Sequence, residues 1–464
     1  MVFGLGWIRS KVDNYVPIKP IKFRSKNGDS SSTLPDIIKS KVPELAQDSS
    51  FYINPLLSSG HTQTAYTALN KFEHVDQIHY KRVILNVENK TYNVDGDDIH
   101  YDRWEGTSTI ALDYVQPSSL FPDVNHEQYK PAHQIRDLPP RTEYLDPSKE
   151  QELLADNSKP LLIALHGLSG GSYESYIRAI LGTISEEPYN FDAMVLNSRG
   201  CANHTITSPQ LYNGIWTNDL RYLINEHIKR KWPNKRIFLI GFSLGGAILA
   251  NYLGQEASTV YHNIKGATIV GTPWDFPDSS RHLRDSIIGY NVYSPTMCQS
   301  LLKLLDAHDE NLKDDPIISD FRENPDKYSV TKLKEFDHYF TSRMFGLNTA
   351  EAYYRHASPV QRLHNVRVPV VILSSKDDPI TGNRTLPISE VSMNPYTTLI
   401  TTTTGGHLGW FTINGGRWYP GPISKLISEL DNNWEVDPES IDDKDLPFDE
   451  RKSFKHDRLV YGMI

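Results

Sequence analysis

Three short stretches carry side chains able to do covalent chemistry together: Ser243 in Gly241-Phe-Ser-Leu-Gly245, Asp377 in Ser374-Ser-Lys-Asp-Asp-Pro379, and His407 in Gly405-Gly-His-Leu-Gly409. A serine hydroxyl is a weak nucleophile until a neighbouring base takes its proton. An imidazole suits that task, and a carboxylate behind it fixes the tautomer and supports the imidazolium. The chain order Ser, Asp, His is the order such partners take around a Gly-x-Ser-x-Gly turn. Ser243 is the expected nucleophile, His407 the base and Asp377 the acid. Asp378 is an alternative acid, because pattern does not separate adjacent carboxylates. Asp275, after the strand-like run Gly266–Val270, is a third candidate.

Each residue needs an element to hold it. Arg236-Ile-Phe-Leu-Ile240 reads as a buried strand and Gly246–Leu253 as a helix, so the serine sits on a sharp strand-to-helix turn. Glycines flank it because neighbouring backbone must pass close by. Val368–Leu373 is a continuous apolar run of the kind that forms a parallel strand, and its acid lies just past the carboxyl end, where open α/β sheets bind ligands. The β-rich run Thr397–Thr404 leads into the histidine turn. Upstream, Lys159–Leu165 ends in His166-Gly-Leu-Ser-Gly-Gly-Ser172. That turn lacks the G-K-[ST] of a phosphate loop and instead precedes the serine turn. The backbone amides of Leu168 and Leu244 are therefore the expected donors to an oxyanion.

From 160 to 275, strand and helix patterns alternate, which predicts βαβ units and an α/β fold with a mostly parallel, doubly wound sheet. Residues 51–150 hold alternating stretches, Arg82–Val87, Asp98–Trp104 and Ile110–Tyr114, that predict antiparallel strands opening a mixed sheet, with Asp95-Gly-Asp-Asp98 as a hairpin turn. Between 276 and 358 the rhythm becomes helical, predicting a lid inserted before the acid's strand. Its stripe Leu301, Leu302, Leu304 and Leu305 reads as packing before substrate contact. Residues 1–50, polar around Asn27–Thr33, read as a leader with little order; 51–435 read as one catalytic domain, and 436–464 as a solvated tail.

The strings LHGLSGGSYESYIR (165–178), LNSRGCANHTITSP (196–209), LYNGIWTNDLRY (211–222), GFSLGGAILANYLGQE (241–256), TPWD (272–275), SSKDDPI (374–380) and GGHLGWF (405–411) resemble the α/β-hydrolase 4 family. GHTQTAY (60–66) resembles its N-terminal signature and MFGLNTAEAYYRHAS (344–358) the end of its lid, so the likeness spans most of 55–430. The resemblance implies an α/β-hydrolase fold, a triad of Ser243, Asp377 and His407, and a lipid ester substrate, with monoacylglycerols foremost. It also implies an alternative, synthesis of medium-chain fatty acid ethyl esters when an alcohol replaces water at the acyl-enzyme. The H-x4-D sequence proposed for acyl transfer in some relatives is missing, which counts against a dedicated synthase. A catalytically silent binding protein should lack a triad member or an elbow glycine, and this chain lacks none.

Composition bounds the rest. The 464 residues, 38% hydrophobic, suffice for a large core. A net charge of −9 excludes a general basic surface for nucleic acid. Two cysteines, Cys201 and Cys298, are too few for a disulfide framework and fit a reducing, cytoplasmic setting. No run has metal-ligand spacing, so no metal and no cofactor are expected. No apolar stretch approaches the ~20 residues of a membrane span. The apolar Met1–Ile8 followed by Arg9, Lys11 and Lys19 reads as either a frayed leader or a short anchor for peripheral association with a membrane or lipid droplet.

Overall fold

The computed structural model describes residues 8–94, 97–102, 108–116 and 129–441. Its strands are β1 (Arg9–Tyr15), β2 (Lys22–Ser25), β3 (Ser31–Thr33), β4 (Ser50–Tyr52), β5 (Tyr80–Val87), β6 (Thr91–Val94), β7 (Asp97–His100) and β8 (Ser108–Val115). There follow β9 (Thr142–Tyr144), β10 (Leu161–Leu165), β11 (Asp192–Asn197), β12 (Ile237–Phe242), β13 (Ile264–Val270), β14 (Val370–Ser375), β15 (Thr397–Thr402) and β16 (Trp434–Val436). Eleven of them make one sheet, in the order β4-β1-β15-β14-β13-β12-β10-β11-β8-β5-β9. From β11 through β15 every neighbouring pair is parallel, and antiparallel pairs flank that centre on both sides.

Parallel strands covered on both faces must be apolar throughout, and β10, β12 and β14 are buried at every residue. Alternate residues feed two cores. Leu161, Ile163 and Leu239 join one, with the helix Leu244–Glu256 and the inserted helices; Leu162, Ala164 and Phe238 join the other, with the helices Ser175–Ser185 and Pro420–Asn433. Among the antiparallel strands expected before residue 150, β5 and β8 pair within the main sheet. Among the described residues of the Asp98–Trp104 stretch, β7 pairs with β6 in a separate antiparallel ladder, while residues 95–96, the expected hairpin turn, and 103–104 lie outside the described residues.

Residues 8–50 correct the expectation of a loosely ordered leader. β1 enters the main sheet, pairing Val12 with Thr402 and Tyr15 with Leu399 of β15, while β4 caps it on the outside. β2 and β3 form a small sheet with β16, joining the two ends of the chain. The polar run that suggested disorder, Asn27–Thr33, is the turn after β2 followed by β3 itself, whose Ser31–Thr33 pair with β2, and the order around it comes from pairing that local composition does not report. Residues 1–7 and 442–464, which carry the proposed anchor and most of the acidic and basic tail, lie outside the described residues.

Between β13 and β14 the chain is helical, from Phe276–Asp285 through Ser294–Ala307 to Ala350–Ala357. Cys298, Leu301, Leu305, Phe336 and Phe340 belong to the same core as the underside of the sheet, so the insertion is packed down. Among the described residues no helix is long and apolar enough to cross a membrane.

Candidate active site

Ser243 follows β12 directly and caps the helix Leu244–Glu256, with φ 51° and ψ −119°. Positive φ is crowded for any residue with a β-carbon, and here it lifts the side chain off the sheet edge. The flanking glycines have steric causes. A Cβ on Gly241 would come within 2.6 Å of the Gly245 carbonyl oxygen, and one on Gly245 would overlap the carbonyls of Leu165 and His166. The Ser243 amide donates to the Val270 carbonyl at 2.9 Å, tying the turn to β13.

His407 lies beyond β15 on a tight turn. Its Nε2 is 2.9 Å from Ser243 Oγ, and its Nδ1 is 2.8 Å from Asp378 Oδ2. Asp378 is the carboxylate behind the imidazole, which replaces the sequence assignment of Asp377. The cause is the turn after β14: it directs consecutive side chains to different sides. Asp377 Oδ1 accepts from the Gly405 and Gly406 amides at 3.0 and 2.9 Å and from Ser375 Oγ at 2.7 Å, so it clamps the histidine turn without touching the ring. Asp378 is buried, and its Oδ1 accepts from the Ile380 and Thr381 amides. Burial pulls its pKa upward, but the nearby His407 and those hydrogen bonds outweigh burial and leave the carboxyl below its ordinary range. Asp275 caps the inserted helix Phe276–Asp285, accepting from the Asp278 amide, and is not brought to the histidine.

The turn after β10 abuts the serine: a Cβ on Gly167 would stand 3.3 Å from Ser243 Cβ. Its amides are allocated. Gly167 N–H donates to Tyr176 Oη at 2.9 Å and Ser169 N–H to Tyr212 Oη at 2.6 Å. Among the described residues the Leu168 amide between them has no protein partner. The Leu244 amide occupies the first position of its helix, where N–H groups point out of the end and the helix dipole is positive. His166 is structural: Nδ1 bonds the Gly167 carbonyl at 2.7 Å and Nε2 accepts from the Ser198 amide at 3.1 Å. Burial pushes its pKa down to about 4, so it stays neutral.

Sequence reasoning assigned no role to the residues that brace the base. Thr64 Oγ1 accepts from the His407 amide at 2.8 Å and donates to the Gly60 carbonyl at 2.7 Å. Gln63 Oε1 accepts from the Phe411 amide at 2.8 Å while its Nε2 donates to the Leu57 carbonyl at 2.7 Å. Both stand in GHTQTAY, a segment noticed only by resemblance; buried polar side chains aimed at a loop are invisible to a periodicity reading.

Beside the Leu168 and Leu244 residues lies an apolar cleft closed by Leu301, Leu304, Leu305 and Phe340 of the insertion. Its free volume is about 30 Å³, room for a few waters at most. Among the described residues no group of three or more His, Cys, Asp or Glu is arranged to hold a metal.

A turn-borne serine hydrogen-bonded to an imidazole backed by a buried carboxylate, at the carboxyl edge of a parallel sheet, is an arrangement chemically able to support nucleophilic hydrolysis. Residues 160–411 match the family model described as alpha/beta hydrolase fold, and the chain belongs to that family. It is 38% identical to the monoacylglycerol lipase of Saccharomyces cerevisiae over 90% of this chain and 89% of that one. It is 28% identical to medium-chain fatty acid ethyl ester synthase/esterase 2 of the same yeast, over 89% and 92%. Human phospholipase ABHD3 matches at 33% over 55% of this chain and 59% of its own.

Proposed function

We propose that this chain is a serine ester hydrolase that cleaves monoacylglycerols and related medium- and long-chain acyl esters through an acyl-enzyme. The observation that carries the reading is the continuous Ser243–His407–Asp378 hydrogen-bond chain beside an apolar cleft. In this reading His407 takes the Ser243 proton as Oγ attacks the ester carbonyl, and Asp378 supports the imidazolium. The Leu168 and Leu244 amides hold the oxyanion. The imidazolium then protonates the leaving alcohol, and a water activated by the same imidazole releases the acid. No cofactor enters any of these steps.

The cleft as it stands is too small for an acyl chain, so substrate entry requires the inserted helices to part. Ile287 is 83% exposed and Val292 51% exposed on that insertion, beside Tyr293, whose hydroxyl lies 2.9 Å from His61 Nδ1. In this reading that face meets the lipid surface carrying the substrate. Ethyl ester synthesis is the second reading, supported by the likeness to the yeast synthase/esterase; it differs only in whether an alcohol or water resolves the acyl-enzyme.

Purified wild type and Ser243→Ala, assayed on monoacylglycerols and ethyl esters of graded chain length with and without ethanol, test the proposal. Release of glycerol by the wild type alone supports the lipase. Ethyl ester formation outrunning hydrolysis favours the second reading. Equal rates in the two proteins, or no labelling of Ser243 by a fluorophosphonate, overturn both.

A further inference from the structure

A second cavity, about 490 Å³, opens at the opposite edge of the sheet, a size ordinary for small-molecule sites. It lies at the amino ends of the parallel strands: Arg236 precedes β12, and Ile264 and Lys265 begin β13. Ser243 follows the other end of β12, six residues on, or roughly 20 Å away at the usual strand rise. Phe23 and Lys26 of the 1–50 segment help build it, with Val436 at the start of the 436–464 segment and Trp434 and Glu435 just before it.

Its walls divide by chemistry. Phe23, Phe238, Ile264, Val368 and Tyr396 are buried side chains that give it an apolar floor, with Trp434 at its side. Lys26, Arg236, Lys265 and Arg367 line it against two acids, Asp431 and Glu435. In a chain of net charge −9, an excess of cations in one cavity is a local reversal. Asp431 is already spent: both of its carboxylate oxygens accept from Arg236, at 2.7 and 3.0 Å. Among the described residues the Lys265 ammonium donates to one carbonyl, that of His262, at 3.0 Å. Burial first, then the neighbouring Lys26 and Arg236 charges, depress its pKa, and this repulsion outweighs the opposite pull of Asp431 and Glu435. An anion seated there relieves that repulsion, and an apolar body attached to it fills the floor.

We propose that this cavity binds an amphipathic monoanion of the medium-chain fatty acid class, its carboxylate at Lys265 and its chain over Phe238 and Trp434. The binding claim rests on the cavity alone. Only its use as a product-sensing site rests on the esterase reading above.

The test is titration of the full chain, as Ser243→Ala to remove turnover and bind nothing covalently, with decanoate, decanol and inorganic phosphate, following quenching of indole fluorescence. Trp434→Phe serves to assign the signal. The expected result is saturable quenching by decanoate, at least tenfold weaker in Lys265→Glu, absent in Trp434→Phe, and not reproduced by decanol or phosphate alone. Lys265→Glu should keep wild-type melting temperature and, in the Ser243 background, wild-type activity on a short aryl ester. Equal response to decanol and decanoate, unchanged affinity in Lys265→Glu, or no saturable quenching overturns the proposal. If decanoate binds and Ser243-containing protein hydrolyses no ester, the site stands and the esterase reading falls. The converse result removes the site and leaves the esterase.

Discussion

Asp378 and Asp377 are adjacent in the chain and hold opposite sides of the same imidazole turn: one bonds the His407 ring at 2.8 Å, the other the Gly405 and Gly406 amides that aim it. The two carboxylates therefore separate by experiment. Asp378→Asn should lower kcat by about 10⁴-fold, because an amide no longer enforces the correct imidazole tautomer or balances its charge. Asp377→Ala should cost on the order of 10²-fold by misplacing the turn. Steady-state kinetics on one ester decides; the reverse ranking would return the acid role to Asp377.

Thr64→Val keeps shape and removes the acceptor for the His407 amide. Loss of one buried hydrogen-bond partner should lower stability by about 1–3 kcal/mol. Urea unfolding gives that figure, and kcat should fall while KM for a short ester stays put. Gln63→Leu, which strands the Phe411 amide and the Leu57 carbonyl, should be at least as damaging.

Asp337 lies in the wall of the acyl cleft, where burial pushes its pKa up from 3.8 to about 6 while Tyr354 donates to it at 2.7 Å. Between those two values the folded chain holds a proton that the unfolded chain has released, so this group's contribution to stability is full below pH 3.8, declines as pH rises, and is gone above about 6. Asp337→Asn removes the ionisation. The variant should be more stable than wild type at pH 8, by about 1–3 kcal/mol, with the gap narrowing towards pH 4. Thermal melts across that range measure it, and a gap that widens in acid would contradict the assignment.

Two glycines should respond oppositely to alanine. Gly245→Ala drives a methyl into the backbone carbonyls of Leu165 and His166, neither of which can yield without moving β10. We expect insoluble protein or loss of fluorophosphonate labelling. Gly182, within the helix Ser175–Ser185, has nothing nearer than 3.8 Å to its would-be Cβ. Gly182→Ala should stabilise by about 0.5–1 kcal/mol, read from the urea midpoint.

What could be read in the sequence was whatever is written locally. The strand-turn-helix around Ser243 announces itself because its glycines have no steric alternative, and β10, β12 and the Val370–Leu373 run of β14 because burial on both faces leaves them apolar at every position. The histidine turn is legible for the same reason. Asp377 and Asp378 were not separable, since the direction of each side chain depends on the backbone after β14. Nor was β1: Arg9–Tyr15 alternates in burial, with Ser10 and Val12 inward, only because Thr-rich β15 lies beside it. Thr64 and Gln63 are ordinary polar residues on a short helix until His407 arrives from 343 positions away.

That distance has a consequence for how the protein comes into being. Val12 is synthesised 390 positions ahead of its partner Thr402. β1 therefore cannot pair with the strand that leads to His407 until the chain between them has been made, and long-range pairing of this kind is slow to form. A nascent chain stalled before residue 397 has its elbow serine and no base to activate it.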